Sequence, residues 1–257
     1  MLRPRIIPCL LIHEKGLVKT VRFANPKYIG DPINAVRILN EKEVDELIVL
    51  DIDATRERKE PNYKMISNLA DECRMPLCYG GGVTTSDQIR KIIGLGVEKV
   101  AISSAAIINP RLVSEAAIKV GNQSIVIVMD IKKIPFTNNY ELKINNGTKS
   151  THKCPVEFAI EIEQLGAGEI VINSIDNDGV MKGYDYALIE KLRKNIHIPL
   201  TVLGGAGSLH DFEQLFKKYG IIGAAAGSVF VYKGKYKAVL INYPNRDEKD
   251  LLMEEYL

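Results

Sequence analysis

The sequence predicts an α/β fold, a single (β/α)₈ barrel that occupies residues 1–257 as one domain. Three observations predict it. Short runs rich in β-branched residues alternate with amphipathic stretches of about 10 to 12 residues, the signature of successive βα units and a parallel sheet. Glycine and serine turns at the ends of these runs recur at a nearly constant offset, so the chain reads as two similar halves of four units each. A length of 257 residues with 46% hydrophobic content supports one sizeable core, in the size range of one-domain α/β barrels.

The eight strands are predicted at residues 5–11, 47–53, 76–80, 99–104, 124–130, 169–174, 199–203 and 222–227. Helix starts follow from capping chemistry: Asp31 before Pro32, Thr84 or Thr85 ahead of Asp87, Asn109 before Pro110, and Ser208 ahead of Asp211. Two connections, residues 12–31 after the first strand and 131–154 after the fifth, exceed ordinary βα loops and are expected to carry function. Gly204-Gly205 follows Gly80-Gly81 by 124 positions, Ser228 follows Ser104 by 124, and Asp176 follows Asp53 by 123. The same repeat makes the ends of strands one and five equivalent, which pairs Leu11 with Asp130.

Formal charge is +2, from 34 basic and 32 acidic residues without a long block of one sign, so a nucleic-acid partner is not expected. The apolar runs are too short to span a bilayer and the N-terminus shows no apolar signal core, so the expectation is a cytoplasmic chain with no membrane partner. Cysteines at 9, 73, 78 and 154 form no Cys-x-x-Cys pair and the four histidines are scattered, so no metal site, disulfide framework or cofactor is predicted.

Gly80-Gly81-Gly82 lies between a strand and a capped helix, where bare backbone amides can approach an anion. The plainer reading is a tight turn, but Gly204-Gly205-Ala206-Gly207 and Ala226-Gly227-Ser228 repeat the arrangement after strands seven and eight, the usual phosphate site of this fold. With Gly82, Ser103 and Ser104 in the first half, the ligand is expected to be a phosphorylated small molecule with a phosphate at each end. Asp130 closes the apolar strand Ile-Val-Ile-Val-Met-Asp at the barrel rim and is the candidate general base; its alternative is a cap or a partner for Lys132 or Lys133. Asp51, Asp53, Asp176 and Asp178 stand at neighbouring strand ends, where they would orient the ligand or tune Asp130. Lys19, in the long first connection, would either close over a phosphate or stay solvated. Arg5, Glu46, Lys99 and Glu169 open four strands at the barrel's bottom, where the plain reading is a stabilising salt-bridge layer.

These residues together resemble the cyclase subunit of imidazole glycerol phosphate synthase, the HisF family. The resemblance runs through Arg5-Ile6-Ile7-Pro8-Cys9-Leu10, Asp45-Glu46-Leu47 to Asp51, Gly80-Gly81-Gly82, Glu98-Lys99-Val100, Gly166-Ala167-Gly168-Glu169, Ser174 to Gly179, Gly183-Tyr184-Asp185 and Gly204-Gly205-Ala206-Gly207. It implies a HisH-like glutaminase docked on the barrel's bottom, ammonia passing through the barrel, and a bis-phosphate substrate cyclised and cleaved at the top. It implies further that Arg5, Glu46, Lys99 and Glu169 gate the ammonia, that Glu98 belongs to the partner interface, and that Gly82, Ser104, Gly179, Gly205, Gly227 and Ser228 contact phosphate. Ser103 stands where the family has asparagine.

The family's chemistry uses two aspartates. Asp130 matches one, and Leu11, which cannot exchange a proton, stands in place of the other; His13 is the alternative proton donor nearby. Leu11, the stretch Arg22-Phe23 to Tyr28, the Cys78-Tyr79-Gly80 turn and the tail from Tyr232 to Pro244 resemble a paralogous branch, the HisF-like acetamidino-modification proteins of bacterial surface polysaccharide synthesis. That resemblance implies work alongside an N-acetyl sugar amidotransferase, turning an acetamido into an acetamidino group. An authentic histidine-pathway cyclase-lyase and a non-catalytic phosphate-binding scaffold are the alternatives.

Overall fold

A computed structural model describes residues 3–253. The chain opens with β1 (Arg5–His13), which does not stop at residue 11 but runs on into an antiparallel hairpin of β2 (Gly16–Val21) and β3 (Ala24–Gly30). Asp31 then caps α1 (Pro32–Glu41), its carboxylate accepting from the Asn34 amide. β4 (Leu47–Asp51) ends two residues before the predicted boundary, because the Asp51 carboxylate turns back to accept from the amides of Asp53 and Ala54. Next come α2 (Tyr63–Glu72), β5 (Leu77–Gly80) and α3 (Ser86–Ile93), the last opened by a capping box on Thr85. β6 (Lys99–Ile102) gives way at once to the short α4 (Ser104–Ile108), so Ser103 and Ser104 belong to a turn and helix start instead of the strand. Asn109 does not cap the following helix α5 (Arg111–Val120); it ends α4, and Pro110 takes the cap position.

The second half repeats the plan. β7 (Ile125–Lys133) passes its predicted end by three residues and folds back through β8 (Tyr140–Ile144) and β9 (Lys149–Ser150). The two long connections are thus hairpins that prolong strands one and five of the barrel, at equivalent places in the two halves. α6 (Pro155–Gln164), β10 (Glu169–Ser174), α7 (Tyr186–Arg193), β11 (Leu200–Leu203), α8 (Leu209–Tyr219), β12 (Gly223–Ala226) and the short α9 (Ser228–Val231) complete the alternation. A small hairpin, β13 (Tyr232–Lys233) with β14 (Ala238–Val239), leads to the last helix, α10 (Arg246–Leu252).

Eight strands pair in parallel in the order β1, β4, β5, β6, β7, β10, β11, β12, and β12 pairs back to β1, which closes the barrel. Outward-facing strand residues pack under the helices in one large apolar cluster that includes Ile6, Leu47, Leu77 and Phe212. Inward-facing residues form a second cluster, with Ile7, Cys9, Ile48, Cys78, Val126 and Ala225 among them, so the barrel is filled by side chains. The C-terminal segment is tied to the foot of strand one by Tyr243, whose hydroxyl donates to the carbonyl of Ile6 at 2.8 Å and accepts from the Asp45 amide at 3.3 Å. No helix among the described residues is long and apolar enough to cross a membrane.

Candidate functional site

The C-terminal ends of the strands surround a cavity of about 480 Å³. Parallel order alone brings Leu11, Asp51, Gly80, Ser103, Asp130, Asn173, Leu203 and Ala226 to this one rim, since each sits near the C-terminal end of its strand, Leu11 and Asp130 where β1 and β7 leave the barrel for their hairpins. The glycine turns line it from opposite sides. Gly205 has φ +118°, and a Cβ there would collide with the carbonyl of Gly183; Gly179 has φ +67° and lies against the carbonyl of Thr20. Both positions exclude any side chain, which leaves their amides bare. Gly82, Ser103 and Ser104 line the first-half side; Gly179, Gly205, Gly227 and Ser228 line the second. The helices α4 and α9 begin at Ser104 and Ser228, so the repeat in sequence is a repeat in geometry.

Asp130 is partly buried at the cavity floor. Burial pushes its carboxyl up to about 7; a hydrogen bond donated by Asn173 Nδ2 at 3.1 Å and the nearness of the Ser103 hydroxyl oppose that rise, while the charge of Asp178 adds to it. A carboxyl poised near neutrality can both take and return a proton. The Ser103 hydroxyl comes close to Asp130 without completing a hydrogen bond, and the side-chain Oδ1 of Asn173 is likewise buried without a partner among the described residues. Polar groups left unpaired beside a carboxyl of this kind suit a ligand that supplies the missing donors and acceptors. Leu11 lines the same cavity and packs on the apolar interior layer, placing a methyl-bearing surface at the end of strand one.

Lys19 is not a solvated loop residue. It lies on β2, is 7% exposed, and donates from Nζ to the carbonyl of Cys9, with the ammonium against Gly227. Burial lowers its pKa, against the pull of Cys9 and Asp178. Its neighbours Leu17, Val18 and Thr20 are buried as well, so this stretch of β2 is covered on both faces. Asp178 also lines the cavity and accepts from the Thr20 hydroxyl at 2.8 Å and the Phe23 amide at 3.1 Å, and its burial raises its pKa. Asp51 lines the cavity too, its pKa raised by burial against two turn amides. Asp176 is not among the residues that line the cavity: it accepts from the Lys133 amide at 2.9 Å and braces the extension of β7. His13 ends β1 instead of riding a loop, and its Nδ1 lies 2.7 Å from Asp53; neither residue is among those that line the cavity.

At the other end of the barrel, Arg5, Glu46, Lys99 and Glu169 close a ring of alternating charge. Arg5 pairs with Glu46, and its second nitrogen meets Glu169 at 2.7 Å; Lys99 reaches Glu46 at 2.7 Å and Glu169 at 2.8 Å. Thr201 adds a hydroxyl to Glu169 at 2.6 Å. Although burial works against ionisation, Arg5 and Lys99 hold the Glu169 carboxyl down at about 2. Glu98 stands beside this ring, exposed, with one carboxylate oxygen accepting from the Leu77 amide at 2.7 Å.

A family model described as histidine biosynthesis protein matches residues 5–237. The chain belongs to that family, in its HisF branch. It is 57% identical over 252 residues to a Leptospira borgpetersenii protein provisionally named imidazole glycerol phosphate synthase subunit HisF, covering 98% of this chain and 99% of that one. A Pseudomonas aeruginosa protein provisionally named subunit hisF2 of the same synthase is 51% identical, with 98% and 100% covered. The HisF subunit of Hydrogenobaculum sp., named without qualification, is 39% identical over 233 residues, with 91% and 92% covered.

Several residues of this HisF-family site carried no signal in the sequence. Asn145 and Asn146 line the cavity from the tip of the β8–β9 hairpin, where the Asn145 amide donates to the Ser104 hydroxyl at 3.1 Å. Asn173 sits within an apolar strand, and Thr55, Arg56 and Arg58 sit in a polar stretch that reads as an ordinary turn. Only the closed barrel brings them to the rim.

Proposed function

We propose that this HisF-type barrel is the ammonia-receiving subunit of a glutamine amidotransferase complex. A HisH-like glutaminase docks at the strand N-termini, with Glu98 in the interface. Released ammonia enters through the Arg5–Glu46–Lys99–Glu169 gate and reaches the cavity at the top. The interior layer above the gate, with Ile7, Ile48, Cys78 and Val126, and the cavity floor it leads to, with Cys9, Val128 and Leu203, are apolar or thiol-lined, which suits neutral ammonia and penalises ammonium.

The finer reading is that the ammonia serves an acetamido-to-acetamidino conversion on a surface-polysaccharide sugar, carried out together with an N-acetyl sugar amidotransferase. Leu11 is the observation that carries it: an aliphatic side chain occupies the strand-one end of a cavity that otherwise keeps Asp130 and the phosphate turns Gly82, Ser103, Ser104, Gly179, Gly205, Gly227 and Ser228. The provisional names of relatives at 51–57% identity, one numbered hisF2 and one hisF3, against unqualified HisF names at 37–40%, also support a separate branch.

Steady-state turnover of the ribulosyl bis-phosphate substrate with ammonium chloride tests the reading. Loss of one of two acid-base groups lowers rate by about 10² to 10⁴, so slow turnover is expected, and turnover at the rate of a two-aspartate cyclase overturns the amidination reading. That outcome would favour a histidine-pathway cyclase-lyase, a reading to which Asp130 near neutrality and Lys19 beside Gly227 lend support. Stimulation of glutamine hydrolysis in the glutaminase distinguishes a conduit from a passive scaffold. Lys99→Ala and Glu46→Ala are expected to weaken that stimulation, and full stimulation in both would remove the gate from the proposal.

A further inference from the structure

Two arginines line the cavity without a direct ion-pair partner among the described residues. Arg56 and Arg58 stand in the turn after β4, both exposed at the rim on the Gly80–Gly82 side. Neither guanidinium takes part in a hydrogen bond or ion pair among the described residues; the charge of Arg56 is felt at a distance by Asp53. The backbone that carries them is fixed. Glu57 and Lys59 donate to the carbonyls of Asp53 and Ala54, both at 2.8 Å, and Arg58 takes the left-handed conformation with φ 54°. The turn is also fastened to the strand-three glycines: the Gly82 amide donates to the Thr55 hydroxyl oxygen at 3.3 Å, and the carbonyl of Lys59 lies against Gly82.

The consequence is an asymmetry between the two ends of the cavity. The ionisable groups on its lining are Asp51, Asp130 and Asp178 against Lys19, Arg56 and Arg58, with Cys9 beside Lys19. At the second-half end, Lys19 faces Asp178. At the first-half end, the two arginines face Asp51 alone, whose carboxylate already accepts two turn amides. The Gly82 amide there is engaged by Thr55, so a bound anion gets less from the backbone and more from side chains.

We propose that Arg56 and Arg58 form a guanidinium clamp for a phosphoryl dianion at the Gly80–Gly82 end, so that this end selects phosphate over a singly charged group. The inference rests on the reading of the cavity as a phosphate-ligand site and adds to it the groups that set its charge selectivity. A guanidinium presents paired N–H donors that match phosphate oxygens, which a lysine cannot do in the same plane. The phosphoryl group is either one end of a bis-phosphate or part of a diphosphate, and the two sources are separable by experiment.

Isothermal titration of the full-length chain with inorganic phosphate, pyrophosphate and fructose 1,6-bisphosphate tests the clamp. The Arg56→Ala/Arg58→Ala double variant is expected to bind the preferred probe at least about 10-fold more weakly, in line with the loss of charge-assisted hydrogen bonds. Arg56→Lys/Arg58→Lys is expected between the two, because charge returns without the fork. Lys235→Ala, an exposed lysine outside the cavity, is expected to bind as the parent does. Preference for pyrophosphate assigns the clamp to a diphosphate, and preference for the bisphosphate assigns it to one of two separated phosphates. Binding of the double variant within twofold of the parent, with an unchanged melting temperature, overturns the clamp and leaves the turn sites standing. A parent chain that binds none of the three probes overturns both.

Discussion

At the scale of single residues, burial has opposite consequences for two groups that the sequence singles out as candidates. Asp130 becomes a carboxyl near pH 7 because the closed rim desolvates it, whereas the same desolvation lowers the pKa of Lys19. The folded-state value of Asp130 lies above the unfolded value near 3.9, so the folded state holds the proton more tightly and stability falls as pH rises from about 4 to about 7. Asp130→Asn is therefore expected to stabilise the fold at pH 8 by about 1–3 kcal/mol, a figure discounted for partial solvent contact, and by little at pH 4. Urea titrations at the two pH values check this, and an equal difference at both would refute it. Leu11→Asp places a second carboxyl at the equivalent strand end. It is expected to raise turnover of the ribulosyl bis-phosphate substrate by about 10² or more, with an unchanged rate counting against the role given to Leu11. The motif residues Asp130, Leu11 and the glycines were legible in the chain because they stand next to unmistakable strands. The burial of Lys19 was not, since which of its two alternatives holds depends on how the hairpin folds back on the barrel.

At the scale of elements, the two hairpins that prolong β1 and β7 cross toward each other over the cavity. The first is held to the opposite half where the Arg22 amide donates to the Asp178 carbonyl at 2.9 Å and Asp178 accepts from Phe23 and Thr20. The second reaches back through Asn145 to Ser104 and through Asn146 to the carbonyl of Ile52. Their tips meet at Gly147, which has φ +75° and where a Cβ would come within 3.0 Å of the Phe23 ring and 3.2 Å of Ile175. Gly147→Ala is expected to destabilise this meeting point by about 1 kcal/mol or more, since both conformation and space oppose it. Amide exchange in residues 142–151 should then quicken while the barrel strands stay protected, and uniform protection would show that the tips do not support each other. Length alone marked these segments as unusual. Their strand character escaped notice because the polar runs Lys143 to Ser150 and Arg22 to Tyr28 lack the alternation that a sheet packed on one face displays.

At the scale of the whole molecule, the charge ring and the cavity lie at opposite ends of one apolar interior, and the ring is a closed circuit of four side chains from the feet of the strands. Glu46 and Glu169 are each 4% exposed, so removing a cation leaves buried carboxylates under-compensated. Lys99→Ala is expected to lower stability by about 3–5 kcal/mol, measured by urea unfolding at pH 7, and a loss below about 1 kcal/mol would mean that water already compensates the ring. Because the ring holds the Glu169 carboxyl below its unfolded value, its contribution is present above about pH 4.5 and is lost as pH falls toward about 2.

Local periodicity, turn chemistry and the identity of single residues were enough to establish the eight-unit order, the doubling of the halves, the glycine and serine turns, and the substitution at Leu11. Which polar residues share a cavity was settled by closure of the barrel: Asp178 and Lys19 enter it, Asp176 and His13 are spent on backbone and Asp53, and Arg56 and Arg58 reach its rim. Those assignments depend on register and on strand ends meeting in space, and a carboxylate carries the same letter whether it meets a ligand or an amide.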